Sequence, residues 1–389
     1  MTSLSADQQH AITTLRTWVN TKDKKDQFIT LGGYAGTGKT TLIAILRKLL
    51  YKDDEKLKVG FASYTGKAAR VLRTKLVEQK AISKKDSVGT IHSLIYSPVV
   101  NDKQEIVGWK RKDVLECNLI IIDEASMVDG EIWEHLLRYE IPIIAVGDHG
   151  QLPPIKGLFN LMEKPHIVLE HIHRQAEANP IIGLSIQARE QGLVQVGEYL
   201  SGVKKYSPDD PDFQLAMNEV LEHYFPDTLI LCGYNHTRQR LNQHIREELG
   251  FHSKEPAVND RVICLRNNHK SRIYNGMLGT IVFLERVDEE WYNAQIAMDG
   301  EDDVFKGLIL ASQFGSDTSL NFTEKRSKTI KGDFFDFGYA LTVHKAQGSQ
   351  ARRVILFEER FKKMDDTAWK RWLYTAITRA EEELIIFGK

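Results

Sequence analysis

The sequence has little that would suit an oxidising compartment. It holds 3 cysteines in 389 residues. Cys117, Cys232 and Cys264 lie far apart and none has a CxxC partner, which speaks against a disulfide framework and a thiolate metal site and leaves buried, reduced thiols as the expectation. The 13 histidines show no zinc spacing either. No window approaches the ~18 uninterrupted apolar residues that a membrane helix needs. The opening MTSLSADQQHAI has no basic and apolar signal layout, so an intracellular, cytoplasmic protein without a membrane partner is expected. An excess of one charge is missing too, with 52 Lys and Arg against 53 Asp and Glu. That excludes a broadly basic nucleic-acid coat, though a groove needs only a few well-placed donors. No internal repeat and no low-complexity segment is present.

What is present is alternation. FITLGG (28–33), VGFASY (59–64), NLIIIDEAS (118–126) and PIIAVGD (142–148) read as strands, with helical stretches after the first two. Continuous β-branched runs mark strands buried on both faces, hence a parallel sheet covered by helices. Such alternation makes an α/β, doubly wound domain. Segment 87–112 breaks the pattern with two β-like runs around the polar NDKQ, which suggests a hairpin. A second α/β unit starts with DTLILCGYN (227–235). It is interrupted by turn-rich β sequence that includes Asn275-Gly276, a tight-turn signal. The α/β character returns with FGYALTVHKAQG, RRVILFEE and ELIIFG. The basic run 325–331, KRSKTIK, reads as a solvated linker.

The strongest motif is Gly33-Tyr34-Ala35-Gly36-Thr37-Gly38-Lys39-Thr40, which matches GxxxxGK[ST] between a strand and a helix. Gly33, Gly36, Thr37, Gly38 and Thr41 belong to a loop whose backbone N–H groups wrap phosphates at a helix N-terminus. Lys39 is expected to reach the β- and γ-phosphates of ATP, and Thr40 to ligate Mg²⁺. Asp123-Glu124 ends the apolar strand: Asp123 is placed to hold the Mg²⁺ and Glu124 to orient and deprotonate the attacking water. These features define a P-loop NTPase but do not say which one, since a kinase, a switch GTPase or a transporter ATPase could share them.

Eight short motifs follow in one order. They are Leu4-Ser5-Ala6-Asp7-Gln8; Tyr64-Thr65-Gly66-Lys67-Ala68-Ala69; Gly89-Thr90-Ile91-His92-Ser93-Leu94; and Asp123-Glu124-Ala125-Ser126-Met127. Then come Gly147-Asp148-His149-Gly150-Gln151-Leu152-Pro153-Pro154-Ile155; His173-Arg174-Gln175; Thr342-Val343-His344-Lys345-Ala346-Gln347-Gly348-Ser349; and Tyr374-Thr375-Ala376-Ile377-Thr378-Arg379-Ala380. Together they resemble the superfamily 1B helicases of the RecD/Dda-like type, in a minimal, phage-like form, from Leu4 to the last residues. The resemblance implies two RecA-like P-loop domains with parallel sheets, a small β-hairpin insertion in the first and a small β-barrel insertion in the second. The expected boundaries are 1–86 with 113–172 for the first domain and 87–112 for the hairpin. The second domain takes 173–255 with 333–389, and the barrel 256–332.

The same resemblance implies an ATP-dependent DNA helicase moving 5′→3′ on single-stranded DNA and acting on forked or tailed duplexes. Gln8 would read adenine and Gly348 would meet the nucleotide. Arg174 and Arg379 would stabilise charge on the γ-phosphate, and Gln151 would couple phosphate state to the strand. Thr65, Lys67, Thr90, His92, Thr342 and His344 would face the nucleic acid, through contacts that position a strand without reading its bases. Pro98 and Trp109 of the hairpin would stack on a base as a pin that splits the duplex, or else Trp109 caps the hairpin against the domain. Gln350 stands where many members carry an acidic residue, which leaves ATP against dATP open. A monomer is expected, with replication or recombination proteins as partners and the host cytoplasm as its place if a phage encodes it. Two other readings stay open, a translocase or clamp that displaces proteins with little unwinding, and an RNA motor.

Overall fold

The computed structural model describes residues 4–21, 26–100, 106–154, 159–171, 179–200, 202–268, 271, 273–301, 303–316 and 331–389. The chain divides into two compact units, Met1–Ile182 and Gly183–Lys389, a division some residues later than the sequence suggests.

The first unit begins with α1 (Ala6–Asn20), whose Ser5 and Gln8 form a reciprocal capping box. There follow β1 (Phe28–Gly33), α2 (Lys39–Asp53), β2 (Val59–Ser63), α3 (Gly66–Glu78), β3 (Ser87–Thr90) and α4 (Ile91–Ile95). Then come β4 (Tyr96–Val100), β5 (Ile106–Arg111), β6 (Leu119–Asp123), α5 (Gly130–Leu137), β7 (Ile143–Gly147) and β8 (Ile167–Leu169). One sheet runs β3-β2-β6-β7-β1-β8, all parallel. The apolar runs are continuous because successive side chains feed opposite cores. Leu119 and Ile121 join the core under α1 and α2, whereas Ile120 and Ile122 join the core around Trp133 and Leu136 of α5. Ile144 and Val146 against Ile143 and Ala145 repeat the division on β7.

The insertion in this unit is shorter than the sequence suggests. Ser87–Thr90 pairs in parallel with β2, from Gly60↔Ser87 to Ser63↔Thr90, so it belongs to the sheet. The antiparallel hairpin is β4 with β5, in register from Tyr96↔Arg111 and bulged between Val99 and Val100.

The second unit has its own six-stranded sheet. Its strands are β9 (Gly197–Glu198), β10 (Val203–Tyr206), β11 (Thr228–Cys232), β17 (Ala340–Thr342), β18 (Ala351–Phe357) and β19 (Ala380–Phe387), in the order β17-β11-β18-β19-β10-β9. All neighbours are parallel except the β9 edge. Inserted after the helix Asn235–Glu248 is an antiparallel sheet of β12 (Arg261–Cys264), β13 (Leu278–Arg286), β14 (Trp291–Met298), β15 (Val304–Leu310) and β16 (Phe335–Phe337), in the order β15-β14-β13-β12-β16. Asp333 accepts from Leu310 N (3.1 Å) and donates to Leu308 O (2.7 Å), so the sheet curls back toward its first edge. The Asn275-Gly276 turn is real: Met277 N donates to Tyr274 O (3.0 Å) and Gly276 carries φ 89°, the left-handed position that a type II turn reserves for glycine. The run 325–331 lies almost wholly outside the described residues. The three cysteines are buried and free, and burial raises all three thiols above their ordinary range.

Charged groups fix both units from inside. In the first, Arg47 donates through Nε to Asp86 Oδ2 (2.9 Å) and through its terminal nitrogen to Oδ1 (3.0 Å), with side chains 1% and 0% exposed. Asp86 also accepts from Val59 N (3.0 Å) and Ser83 N (2.8 Å), tying α2, β2 and the loop before β3. In the second, Arg246 holds Asp260, which also accepts from the Tyr339 hydroxyl (2.8 Å), and Arg238 holds Asp336 (2.7 Å), so one helix pins the inserted sheet where the chain enters and leaves it. Asp86→Ala would leave a buried guanidinium without its counter-charge, and we expect a loss of about 3–5 kcal/mol in urea unfolding. A loss under about 1 kcal/mol would mean that Arg47 finds water.

Candidate nucleotide and nucleic-acid site

Strand order builds the first part of the site. β7 lies between β1 and β6, and their carboxyl ends carry Gly33, Asp148 and Asp123. A parallel sheet presents that edge as the binding edge. The loop after β1 turns through Gly36 (φ 81°) and Gly38 (φ 78°), backbone values that side chains resist. It is braced from inside: Thr37 Oγ1 donates to Tyr34 O (2.8 Å), and Gln8 Nε2 donates to Thr37 O (2.9 Å). A Cβ at Gly33 would meet Thr37 Oγ1 at 2.7 Å.

Lys39 Nζ folds back to donate to Gly33 O (2.7 Å) and Tyr34 O (2.9 Å), and lies 4.0 Å from Asp148 Oδ2. Thr40 Oγ1 donates to Asp123 Oδ2 (3.3 Å), so a hydroxyl and a carboxylate oxygen converge. Burial and the neighbouring Glu124 push Asp123 up to about 6, against the pull of Lys39. Glu124 sits in the left-handed region at φ 56°, a strained backbone for a non-glycine residue, and its Oε2 is buried without a hydrogen-bond partner. Gln151 Nε2 donates to Asp148 Oδ2 (3.4 Å), while its Oε1 is buried and unpartnered. Buried orphan oxygens are costly. Here they belong to Glu124, expected to handle the attacking water, and to Gln151, expected to couple phosphate state to the strand, beside an ammonium and a Thr–Asp pair. This donor set fits a nucleotide triphosphate with a divalent cation. Among the described residues no cluster of three or more His, Cys, Asp or Glu could hold a metal alone, so phosphate oxygens would complete the cation's shell. Thr41 is exposed on the first turn of α2.

Other predicted residues are placed as follows. Thr65 and Thr90 cap helices, accepting from Ala68 N (3.2 Å) and Ser93 N (3.1 Å). Lys67 is half-buried on the first turn of α3. His92 lies by the Tyr64 and Tyr96 rings, at 6.4 and 5.7 Å, and burial lowers its pKa. Trp109 is exposed, paired in register with Pro98. In the second unit Thr342 is buried at the end of β17, burial lowers the His344 pKa, and Gly348 has φ 74°. Both histidines are therefore neutral donors or acceptors at neutral pH rather than cations. Arg379 is buried, donating to Thr375 O (3.0 Å), Ser349 O (3.2 Å) and Thr378 Oγ1 (3.1 Å). Arg174 lies outside the described residues.

Sequence reasoning left out three groups. Asp148 faces Lys39, and its signal was already inside the Gly147–Ile155 motif. Asp7 Oδ2 accepts from Glu170 N (3.0 Å) and His171 N (2.9 Å), binding the start of the chain to the segment that leaves β8. Lys345 is pushed down to about 8 by burial and by Arg238.

The comparisons agree with this geometry. Residues 3–201, just over half of the chain, match the AAA domain model, and 337–387 match the UvrD-like helicase C-terminal domain. The chain therefore belongs to the AAA domain family, and its relatives by sequence include RecD-type and Dda helicases. It is 26% identical over 384 residues to the ATP-dependent RecD2 DNA helicase of Deinococcus radiodurans, covering 93% of this chain but 47% of that protein, so it spans about half of that relative's length. It is 23% identical to the ATP-dependent DNA helicase dda of Enterobacteria phage T4, covering 93% and 94% of the two chains. Among solved structures, a Bacteroides Pif1 helicase in complex with ADP-AlF3 and ssDNA matches with TM-score 0.56 at 17% identity, over 99% of this chain and 92% of that one. The last bears on the fold alone.

The raised Asp123 carries a pH signature. An acid whose folded pKa lies above its unfolded value stabilises the fold below the unfolded pKa and loses that contribution as pH rises through the folded one. In chelator and without nucleotide, Asp123→Asn should therefore be more stable than the parent at pH 7.5, with the advantage shrinking toward pH 4. Urea midpoints at pH 5 and 7.5 that move in parallel would contradict this.

Proposed function

We propose that the protein is an ATP-dependent DNA helicase that moves along single-stranded DNA, 5′ to 3′, and separates duplex strands. The observation that carries the reading is the meeting of Lys39, Thr40, Asp123, Glu124, Asp148 and Gln151 at one sheet edge. Lys39 swings from the loop carbonyls to the β- and γ-phosphates, because a charged donor gains more from phosphate than from two neutral carbonyls. Thr40 and Asp123 would hold Mg²⁺, which would neutralise charge on the phosphate oxygens. Glu124 uses its unpartnered oxygen to orient the attacking water and take its proton. Gln151, hydrogen-bonded to Asp148, senses the terminal phosphate. Arg379 stabilises the transferring group, and Arg174 is assigned the same task by motif alone.

DNA is favoured over RNA by the company the chain keeps, since the RecD2 and dda proteins are named as DNA helicases. Thr65, Lys67, Thr90, His92, Thr342 and His344 are proposed as strand contacts. The two capping threonines can contribute backbone and hydroxyl groups at helix starts, where phosphate is welcome. The hairpin, with Trp109 exposed on it, is proposed as the separating pin, acting on forked or tailed DNA. We also propose that it works as a monomer and meets replication or recombination proteins at the fork.

Two duplexes test the reading, one with a 5′ tail and one with a 3′ tail, supplied with ATP and Mg²⁺. Only the 5′-tailed duplex should separate. Separation of the 3′-tailed one alone would reverse the direction, and an equal response from RNA strands would remove the preference for DNA. ATP consumed on single strands with no separation would favour the clamp. Lys39→Ala should abolish turnover. Arg379→Ala should lower kcat by roughly 10³-fold or more while fluorescent-nucleotide titration shows affinity nearly unchanged. Equal loss of affinity would take Arg379 out of that role.

A further inference from the structure

The hairpin is held at its root by the stretch of chain that joins two nucleotide motifs. That stretch runs from Asp123-Glu124 at the end of β6, through α5, to Asp148 after β7. Both of its ends reach the phosphate edge. Its middle grips the hairpin instead. The Tyr139 hydroxyl, two residues past α5, shares its one proton between Ile95 O (3.0 Å) before β4 and Lys112 O (2.8 Å) after β5. One phenol thus staples the entering and leaving chains, which are also joined by Lys112 N donating to Ile95 O (2.8 Å). On α5 itself, His135 Nδ1 shares a hydrogen bond with the Tyr96 hydroxyl (2.5 Å), at the first residue of β4. The last residue of β5, Arg111, lays its guanidinium 5.9 Å from the Tyr139 ring centre. Lys112 Nζ donates to Ser93 O (2.8 Å) on α4.

Nothing comparable is needed merely to bury α5. Ile132, Trp133 and Leu136 already seat it in the core. The polar contacts fall on the face turned to the hairpin root, and they tie it to a helix that starts three residues after the strained turn at Glu124–Met127. A shift at either phosphate-facing end reaches this helix through short backbone, because packed elements move as bodies.

We infer that Tyr139 and His135 are positioning residues for strand separation: they fix the hairpin root to the chain between Asp123 and Asp148, so that the pin follows the nucleotide state. This rests on the reading of the hairpin as the pin. Neither residue is among those that meet at the phosphate edge, so ATP turnover does not depend on them. What depends on them is how much duplex opens for each ATP.

The test uses the full chain with Tyr139→Phe/His135→Leu, changes that keep most of the buried volume. A 5′-tailed duplex is the substrate, and strands separated per ATP hydrolysed is the readout, beside ATPase on oligodeoxythymidine and the thermal midpoint. We expect strands separated per ATP to fall roughly fivefold, with ATPase within about twofold of the parent and little change in midpoint. His135→Gln, which offers Tyr96 a partner again, should restore most of the yield that His135→Leu loses. An unchanged yield per ATP, or ATPase falling in proportion to unwinding, would overturn the inference. Shortening 100–106 separates the two layers. If that chain still unwinds like the parent, the pin reading fails and this one with it; if it loses unwinding while the root variants do not, the root assignment alone fails.

Discussion

A buried parallel sheet with β7 between β1 and β6 is the constraint on which the rest depends. It forces an ammonium, two aspartates and a half-buried glutamate to share one edge. Lys39 answers the charge of Asp148 from 4.0 Å and partly offsets the burial of Asp123. Without that cation the acidic edge would be poorly tolerated in a sheet covered on both faces. The site is consequently under-satisfied: Glu124 and Gln151 keep buried oxygens without partners, and Glu124 holds a left-handed backbone. A bound phosphate group with its cation would satisfy what the protein leaves open.

The second unit repeats the parallel architecture, but its stored polarity lies elsewhere. Its internal ion pairs, Arg238–Asp336 and Arg246–Asp260, anchor an inserted antiparallel sheet to one helix. Such pairs contribute little net stability against apolar substitutes, and they fix a single register for the elements they join. Arg379, by contrast, donates to the neutral oxygens of Thr375, Ser349 and Thr378.

Much of this was legible in the residues. The strands of the first sheet could be read because their apolar runs are continuous, and the P-loop because its glycines sit where φ must be positive. The Asn275-Gly276 turn could be read for the same reason. The extent of the hairpin could not. Ser87–Thr90 carries no apolar run, and its strand state comes from pairing with β2, a tertiary effect that local pattern does not record. Asp148 and Asp7 were inside recognised motifs, yet their partners are far along the chain. The capping of helices by Thr65 and Thr90 was equally hidden behind their expected role toward a strand. The contact of Tyr139 with the hairpin root could not be anticipated from spacing at all, since 44 and 27 residues separate its partners.

The central claim is that one sheet edge hydrolyses nucleotide and that a DNA strand governs how fast it does so. Phosphate release from ATP with Mg²⁺, measured with and without oligodeoxythymidine, addresses it most directly. The account predicts slow release by the protein alone and a rise of roughly tenfold or more on single-stranded DNA, weakening steeply as salt screens the strand contacts. Release that is absent under both conditions, or that is fast and indifferent to DNA, would contradict it.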